Sequence, residues 1–148
     1  MGEFPSIPHY DVVRELHRGG MTVLYLVRDE QGYPAVLRIL RPEFARDVRI
    51  RRRFTKAAQI VEQLAPYVPE LLECGRHKGL YYMVIRYIPG ENLRELILHR
   101  DQRLLSSPLP LLIRIAEAIA AVHARGYLHM DIKPENVLVV KDALDIFI

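Results

Sequence analysis

One cysteine, Cys74, stands in a chain of 148 residues. A single thiol excludes an internal disulfide and a metal site of the multi-cysteine kind, and Cys74 reads as an ordinary half-buried thiol. No apolar run approaches the roughly 20 residues needed to span a bilayer, so no membrane segment is expected. Met1 to Tyr10 lacks a basic start followed by an apolar stretch, so no signal peptide is expected either. Internal repeats and low-complexity tracts are missing. The excess of positive charge is small, 21 Lys and Arg against 18 Asp and Glu for a net +3, which is too little to argue for nucleic acid. His9, His77 and His99 show no ligand spacing and read as surface residues. What is present is apolar residues, 50% of the chain, enough for a real core in one domain or part of one. The expectation is a soluble, cytoplasmic protein.

The apolar spacing orders the elements. Tyr10 to Val27 reads as two strands around the pair Gly19-Gly20, Asp29 to Gly32 as a turn, and Pro34 to Leu40 as a third strand. Asp47 to Leu64 has helical spacing, with Phe54, Ala58, Val61 and Leu64 or Ala65 on one face. Leu80 to Ile88 is a strand ended by Pro89-Gly90, and Asn92 to Leu98 is a short helix. Ser107 is the expected cap of a long helix that follows Pro108 and is stopped by Gly126. That helix is apolar nearly all round, which suits a buried position. Where nothing in this chain covers it, Leu111, Leu112, Ile115, Ile119 and Val122 are the candidates for an open, self-associating face. His129 to Asn136 is a loop, Val137 to Val140 a strand, and Ala143 to Ile148 one more strand. Strands first and helices afterwards imply an α+β unit.

The strongest chemical signal is the loop His129-Met130-Asp131-Ile132-Lys133-Pro134-Glu135-Asn136. The loop resembles the catalytic loop of protein kinases, and Lys133-Pro134-Glu135-Asn136 resembles the serine/threonine branch. The resemblance implies that Asp131 accepts or orients the proton of a substrate hydroxyl, that Lys133 is the cation beside the transferred phosphoryl group, and that the amide oxygen of Asn136, five residues past the aspartate, holds a magnesium ion.

Other segments resemble the same family in order and spacing. Leu16 to Leu26 resembles the glycine-rich loop of bacterial serine/threonine kinases, whose glycines let backbone amides approach phosphates. His17 and Thr22 stand where its first and third glycines are usual, and a plain hairpin turn is the other reading of Gly19-Gly20. Ala35-Val36-Leu37-Arg38 resembles the third strand, with Arg38 where the family has lysine. Arginine is not an equivalent, because its guanidinium is a planar fork and not a point charge. Phe54 to Val61 resembles the regulatory helix, which puts Ala57 at the position of the lysine's glutamate partner. Glu62 points elsewhere on the helix. The basic cluster Arg49, Arg51, Arg52, Arg53 and Lys56 reads as a solvated helix face, or else as a partner or phosphate site.

Tyr82 to Gly90 resembles the fifth strand and hinge, with Ile85 as gatekeeper. The resemblance implies that the backbones of Arg86 and Ile88 bond an adenine edge, and that Leu24, Val36 and Leu138 sandwich the ring. For these apolar residues simple core packing is the other reading. The implied fold is protein kinase-like α+β. An antiparallel-sheet N-lobe with its regulatory helix and hinge is expected over about residues 10–88, and the first part of a helical C-lobe over about 89–148. The implied ligands are ATP and Mg2+, bound weakly or not at all by the isolated chain. The implied partners are a protein substrate or a regulatory protein. By the family's spacing the Asp-Phe-Gly aspartate is expected immediately after Ile148, so this chain alone is expected to be inactive. The implied function is phosphoryl transfer from ATP to protein hydroxyls in the complete parent. The alternative, suggested by His17, Arg38 and Ala57, is a pseudokinase that binds nucleotide, scaffolds or regulates.

Overall fold

The structure, a computed structural model, describes residues 4–140 and 145–148. The chain divides into two compact units. One comprises Met1–Gln63 with Glu70–Tyr87, the other Leu64–Pro69 with Ile88–Ile148.

The first unit is built on an antiparallel sheet of β1 (Tyr10–Arg18), β2 (Thr22–Asp29), β3 (Pro34–Leu40), β4 (Leu71–His77) and β5 (Leu80–Arg86), in the spatial order β1-β2-β3-β5-β4. Period-two alternation decides its faces. Val23, Tyr25, Val27, Ala35, Leu37, Ile39, Tyr82 and Val84 are buried with Ile7 in one cluster. The alternate residues Leu24, Leu26 and Val36 stay half-buried on the opposite face. Helix α1 (Val48–Gln63) packs Phe54 and Ala58 against Leu40 and Met83. Its first turn carries no acidic residue, but the Asp47 carboxylate caps it, accepting from the backbone N–H of Arg49 at 2.7 Å and of Ile50 at 3.3 Å. Each fully buried aliphatic side chain in such a core contributes roughly 1.5–3 kcal/mol.

The second unit carries β6 (Gly90–Asn92), α2 (Leu93–Leu98), α3 (Gln102–Ser106), α4 (Pro108–Ala124), a 3₁₀ turn (Pro134–Asn136), β7 (Leu138–Val140) and β8 (Ile146–Phe147). The three strands pair in the order β6-β7-β8. Asn92 closes a capping box with Glu95 at the start of α2.

Several expectations change. Strands β4 and β6 and helix α3 were not expected. Ser107 makes no side-chain cap bond, and α4 starts on Pro108, whose missing N–H needs no partner. Helix α4 is not open at Leu111 or Val122. These two are buried with Ala118, Ile115 and Ile119 are half-buried, and the exposed large apolar residues are Leu109, Leu112 and Ile113. Cys74 is exposed and not half-buried. Of the strand expected from Ala143, residues 143 and 144 lie outside the described residues, and Ile146–Phe147 form β8.

Asp101 ties α3 down. Its carboxylate accepts from Arg103 Nε at 2.9 Å and Nη2 at 3.0 Å, and from the Arg103 backbone N–H at 2.8 Å. The Arg103 side-chain bonds, then the backbone bond, hold the Asp101 pKa down at about 2. A depressed folded pKa gives a contribution fully present above the unfolded value, near 3.9, and lost as pH falls through about 2. The expected result is that Asp101→Asn lowers the thermal midpoint at pH 7, and that the gap between variant and parent closes between pH 4 and pH 2. A gap independent of pH in that window contradicts the role given to the carboxylate.

Candidate active site

Gly126, at φ 79°, ends α4 and turns the chain into the loop that β7 follows. Within it, Asn136 Nδ2 donates to the Asp131 carboxylate at 2.8 Å and to the Asp131 backbone carbonyl at 2.9 Å. Lys133 Nζ lies 3.3 Å from the same carboxylate. The Asp131 N–H donates to His129 Nδ1 at 3.3 Å. Lys133 first, then Asn136, hold the Asp131 pKa below the usual carboxylate range, so the group is ionised at neutral pH. The bonds through Nδ2 orient the Asn136 amide and leave its Oδ1 without a partner among the described residues. Met130, just before Asp131, sits at φ 66° and is 85% exposed.

The loop is braced from α2. Arg94 Nη1 donates to Glu135 at 2.6 Å and holds the Glu135 pKa below its ordinary value. The Leu93 N–H donates to the Val137 carbonyl at 2.8 Å. These contacts join residues some forty positions apart, and no local pattern announces them.

On the sheet of the first unit, Leu24 pairs with Arg38 and Leu26 with Val36 across β2 and β3, and Val36 pairs with Ile85 across β3 and β5. Leu24, Val36, Arg38 and Ile85 therefore share the face opposite the main cluster. The Gly19 N–H donates to Thr22 O at 2.9 Å and closes the β1–β2 turn, while Arg41 Nη1 donates to Gly20 O at 2.9 Å. Sequence reasoning missed Arg41. A Cβ built on Gly20 meets nothing within 4 Å, so the space above this glycine is open.

A family model for the protein kinase domain matches residues 10–147. The chain belongs to the protein kinase family. It is 29% identical over 142 residues to a probable serine/threonine-protein kinase, PkwA, of Thermomonospora curvata, covering 95% of this chain and 19% of that protein. It is 32% identical over 132 residues to the serine/threonine-protein kinase PrkC of Bacillus subtilis, covering 88% of this chain and 20% of the relative. The crystal structure of the Mycobacterium tuberculosis PknI kinase domain superposes with a TM-score of 0.73 at 28% identity, over 97% of this chain and 59% of that one. The chain thus spans about a fifth of these curated relatives and a little over half of the solved kinase domain. The expected fold, an antiparallel-sheet N-lobe followed by helices, is the fold this kinase family shows.

Within that family fold, the Arg86 N–H is already committed to the Glu70 carbonyl at 2.8 Å, so any adenine bond from Arg86 is left to its carbonyl. The Arg86 side chain pairs with Glu70 as well, its Nε at 2.8 Å. Leu138 and Ile88 are half-buried in the second unit, neither sealed in its core nor fully open. Arg38 has no carboxylate partner among the described residues. Its Nε reaches only Thr22 Oγ1, at 3.4 Å, and Ala57 offers no acid to it. Of the basic cluster on α1, Arg51 is engaged, donating to the Tyr81 hydroxyl at 3.4 Å with its guanidinium 5.8 Å from that ring's centre.

Proposed function

We propose that this chain is the front part of a serine/threonine protein kinase domain that, in the complete parent, transfers the terminal phosphoryl group of ATP to a protein hydroxyl. The observation that carries this reading is the joined trio of the catalytic loop: an ionised Asp131 bonded by Asn136 at 2.8 Å and faced by Lys133 at 3.3 Å. Asp131 would accept the proton of the attacking hydroxyl, and Lys133 would offset charge on the transferred group. Gly19, Gly20 and Arg38 would meet the phosphates. Leu24 and Val36 would meet an adenine face, and the Arg86 carbonyl its edge. About residues 10–88 would serve as N-lobe and hinge.

The donor set bears on the metal. No group of three or more His, Cys, Asp or Glu able to hold a metal gathers among the described residues. Asn136 Oδ1 is one free hard oxygen, and Mg2+ is ordinarily held through one or two carboxylates plus substrate phosphates. The residues present therefore fit an ion carried in with a nucleotide, not a stand-alone metal site. When bound, such an ion would neutralise charge on the phosphates.

A second reading, a nucleotide-binding or regulatory pseudokinase, is favoured by one specific observation, the lack of a carboxylate against Arg38. Titration of the chain with a non-hydrolysable ATP analogue, followed by amide NMR, tests the nucleotide part common to both. The expected result is Mg2+-dependent shifts at Gly19, Gly20, Leu24, Val36 and Arg38, and none with Mg2+ alone. Saturating analogue that leaves these five amides unmoved would count against both readings.

A further inference from the structure

A cavity of about 170 Å³ lies between β3 and α1, lined by Met21, Thr22, Arg38, Leu40, Ile50, Arg53, Phe54, Ala57 and Met83. Arg38, Arg53 and Thr22 are its polar lining residues, and the other six are apolar. No acidic residue lines it, and neither Arg38 nor Arg53 has an ion-pair partner among the described residues. Arginine stays protonated in proteins, so both charges persist. Like charges gathered beside apolar surface are unfavourable until a counter-charge arrives. Arg38 is exposed as a residue, yet protein atoms crowd its guanidinium, and that desolvation pushes its pKa below the ordinary value.

From this arrangement we infer that the cavity is a binding site for a small organic carboxylate on a short apolar stem, held between Arg38 and Arg53. Size sets the stem. A cavity of roughly 150 Å³ accommodates a benzene-sized ligand, so about six to eight heavy atoms fit here. The wall sets the class. Met21, Leu40, Ile50, Phe54, Ala57 and Met83 reward burial of methylene groups, which a bare phosphate lacks. Both oxygens of a carboxylate match the fork of a guanidinium. The bound carboxylate would supply the counter-charge to Arg38 that Ala57 does not. The site shares Arg38 with the proposed phosphate contacts, but Ile50, Arg53, Phe54 and Ala57 of α1 line it as well, so a carboxylate can approach Arg38 from the helix side.

Butyrate is the probe, titrated into the 148-residue chain with amide NMR as readout. The expected result is saturable shifts at Thr22, Arg38, Arg53 and Ala57 with a dissociation constant of about 1 mM, within the ceiling for ligands this small. Butyramide should bind at least about tenfold more weakly, the loss that removing a charge-assisted hydrogen bond brings, and inorganic phosphate should bind more weakly because it has no methylene groups to bury. Arg53→Gln, on an exposed helical position, should weaken butyrate by about tenfold or more. Ala57→Glu should abolish it by placing a carboxylate in the cavity from within the chain. Butyrate should still bind when the ATP analogue is present. Equal binding of butyramide, no effect of Arg53→Gln in a variant with an unchanged spectrum, or strict mutual exclusion with the ATP analogue would each overturn the inference. The last outcome would make butyrate a stand-in for a nucleotide phosphate, and it would leave the nucleotide reading intact.

Discussion

Asp131→Asn, in a parent protein that carries this chain within a complete kinase domain, is expected to lower kcat for phosphoryl transfer by about 10²–10⁴-fold, the range that general acid–base groups supply. Asparagine keeps the size of the side chain and can still bond Asn136, so the loop should keep its shape. What is lost is the ionised oxygen. Here that oxygen is maintained by Lys133 at 3.3 Å and by Asn136 at 2.8 Å, which hold the carboxylate ionised. The KM for ATP should change little, because Asp131 is not assigned to the nucleotide. Steady-state kinetics with a protein substrate checks both quantities. A fall of less than tenfold would mean that the proton goes elsewhere.

The second large effect is structural. A Cβ added to Gly90 would lie 2.2 Å from the Val139 carbonyl oxygen and 2.9 Å from its carbonyl carbon. Both atoms are backbone, so no side chain can turn aside to make room. Gly90 pairs with Val140 and Glu91 with Val139, which makes the close approach part of the β6–β7 ladder itself. Gly90→Ala should therefore cost about 3 kcal/mol, at the upper end of overpacking effects. That is a large share of the 5–15 kcal/mol that typically holds a domain together. Because β7 follows Asn136 within two residues, loss of the ladder should also loosen the catalytic loop. Urea denaturation measures the first effect, and hydrogen exchange at Val139 and Asn136 the second. A variant within 0.5 kcal/mol of the parent would show that the two strands do not approach as described.

The legible elements were those whose pattern is local. Pro34–Leu40 is a short apolar run bracketed by a glycine turn and a proline, and its bounds were read directly. Strand β4 was hidden. Its sequence runs Leu-Leu-Glu-Cys-Gly-Arg-His, its register shifts between Leu71 and Glu73, and it sits at the sheet edge. Gly75, within the strand, lies where a Cβ would come 3.2 Å from the Tyr82 hydroxyl. Helix α3 has only five residues, too few to declare itself, and depends on the Asp101–Arg103 bonds. Helix α4 was legible as a helix but not in orientation. A surface apolar nearly all round does not say that Leu111, Ala118 and Val122 turn inward while Leu112 and Ile113 turn out.

The candidate site divides along the same line. The spacing Asp131, Lys133, Asn136 is local, and the structure brings those three side chains together. The Arg94–Glu135 brace and the Arg41 bond to Gly20 join distant residues, so only the fold exposes them. The replacements at Arg38 and Ala57 were readable once the register was set. The cavity they share with Arg53 was not, because its volume belongs to packing and not to sequence.

The most direct test of the kinase reading is to supply the parent protein with ATP labelled at its terminal phosphate, Mg2+ and a protein substrate, and to identify the labelled residue by mass spectrometry. The account predicts label on serine or threonine, absent without Mg2+ and lowered at least about a hundredfold in Asp131→Asn. Nucleotide bound by the same protein with no label transferred to any hydroxyl would contradict it and leave the regulatory reading in its place.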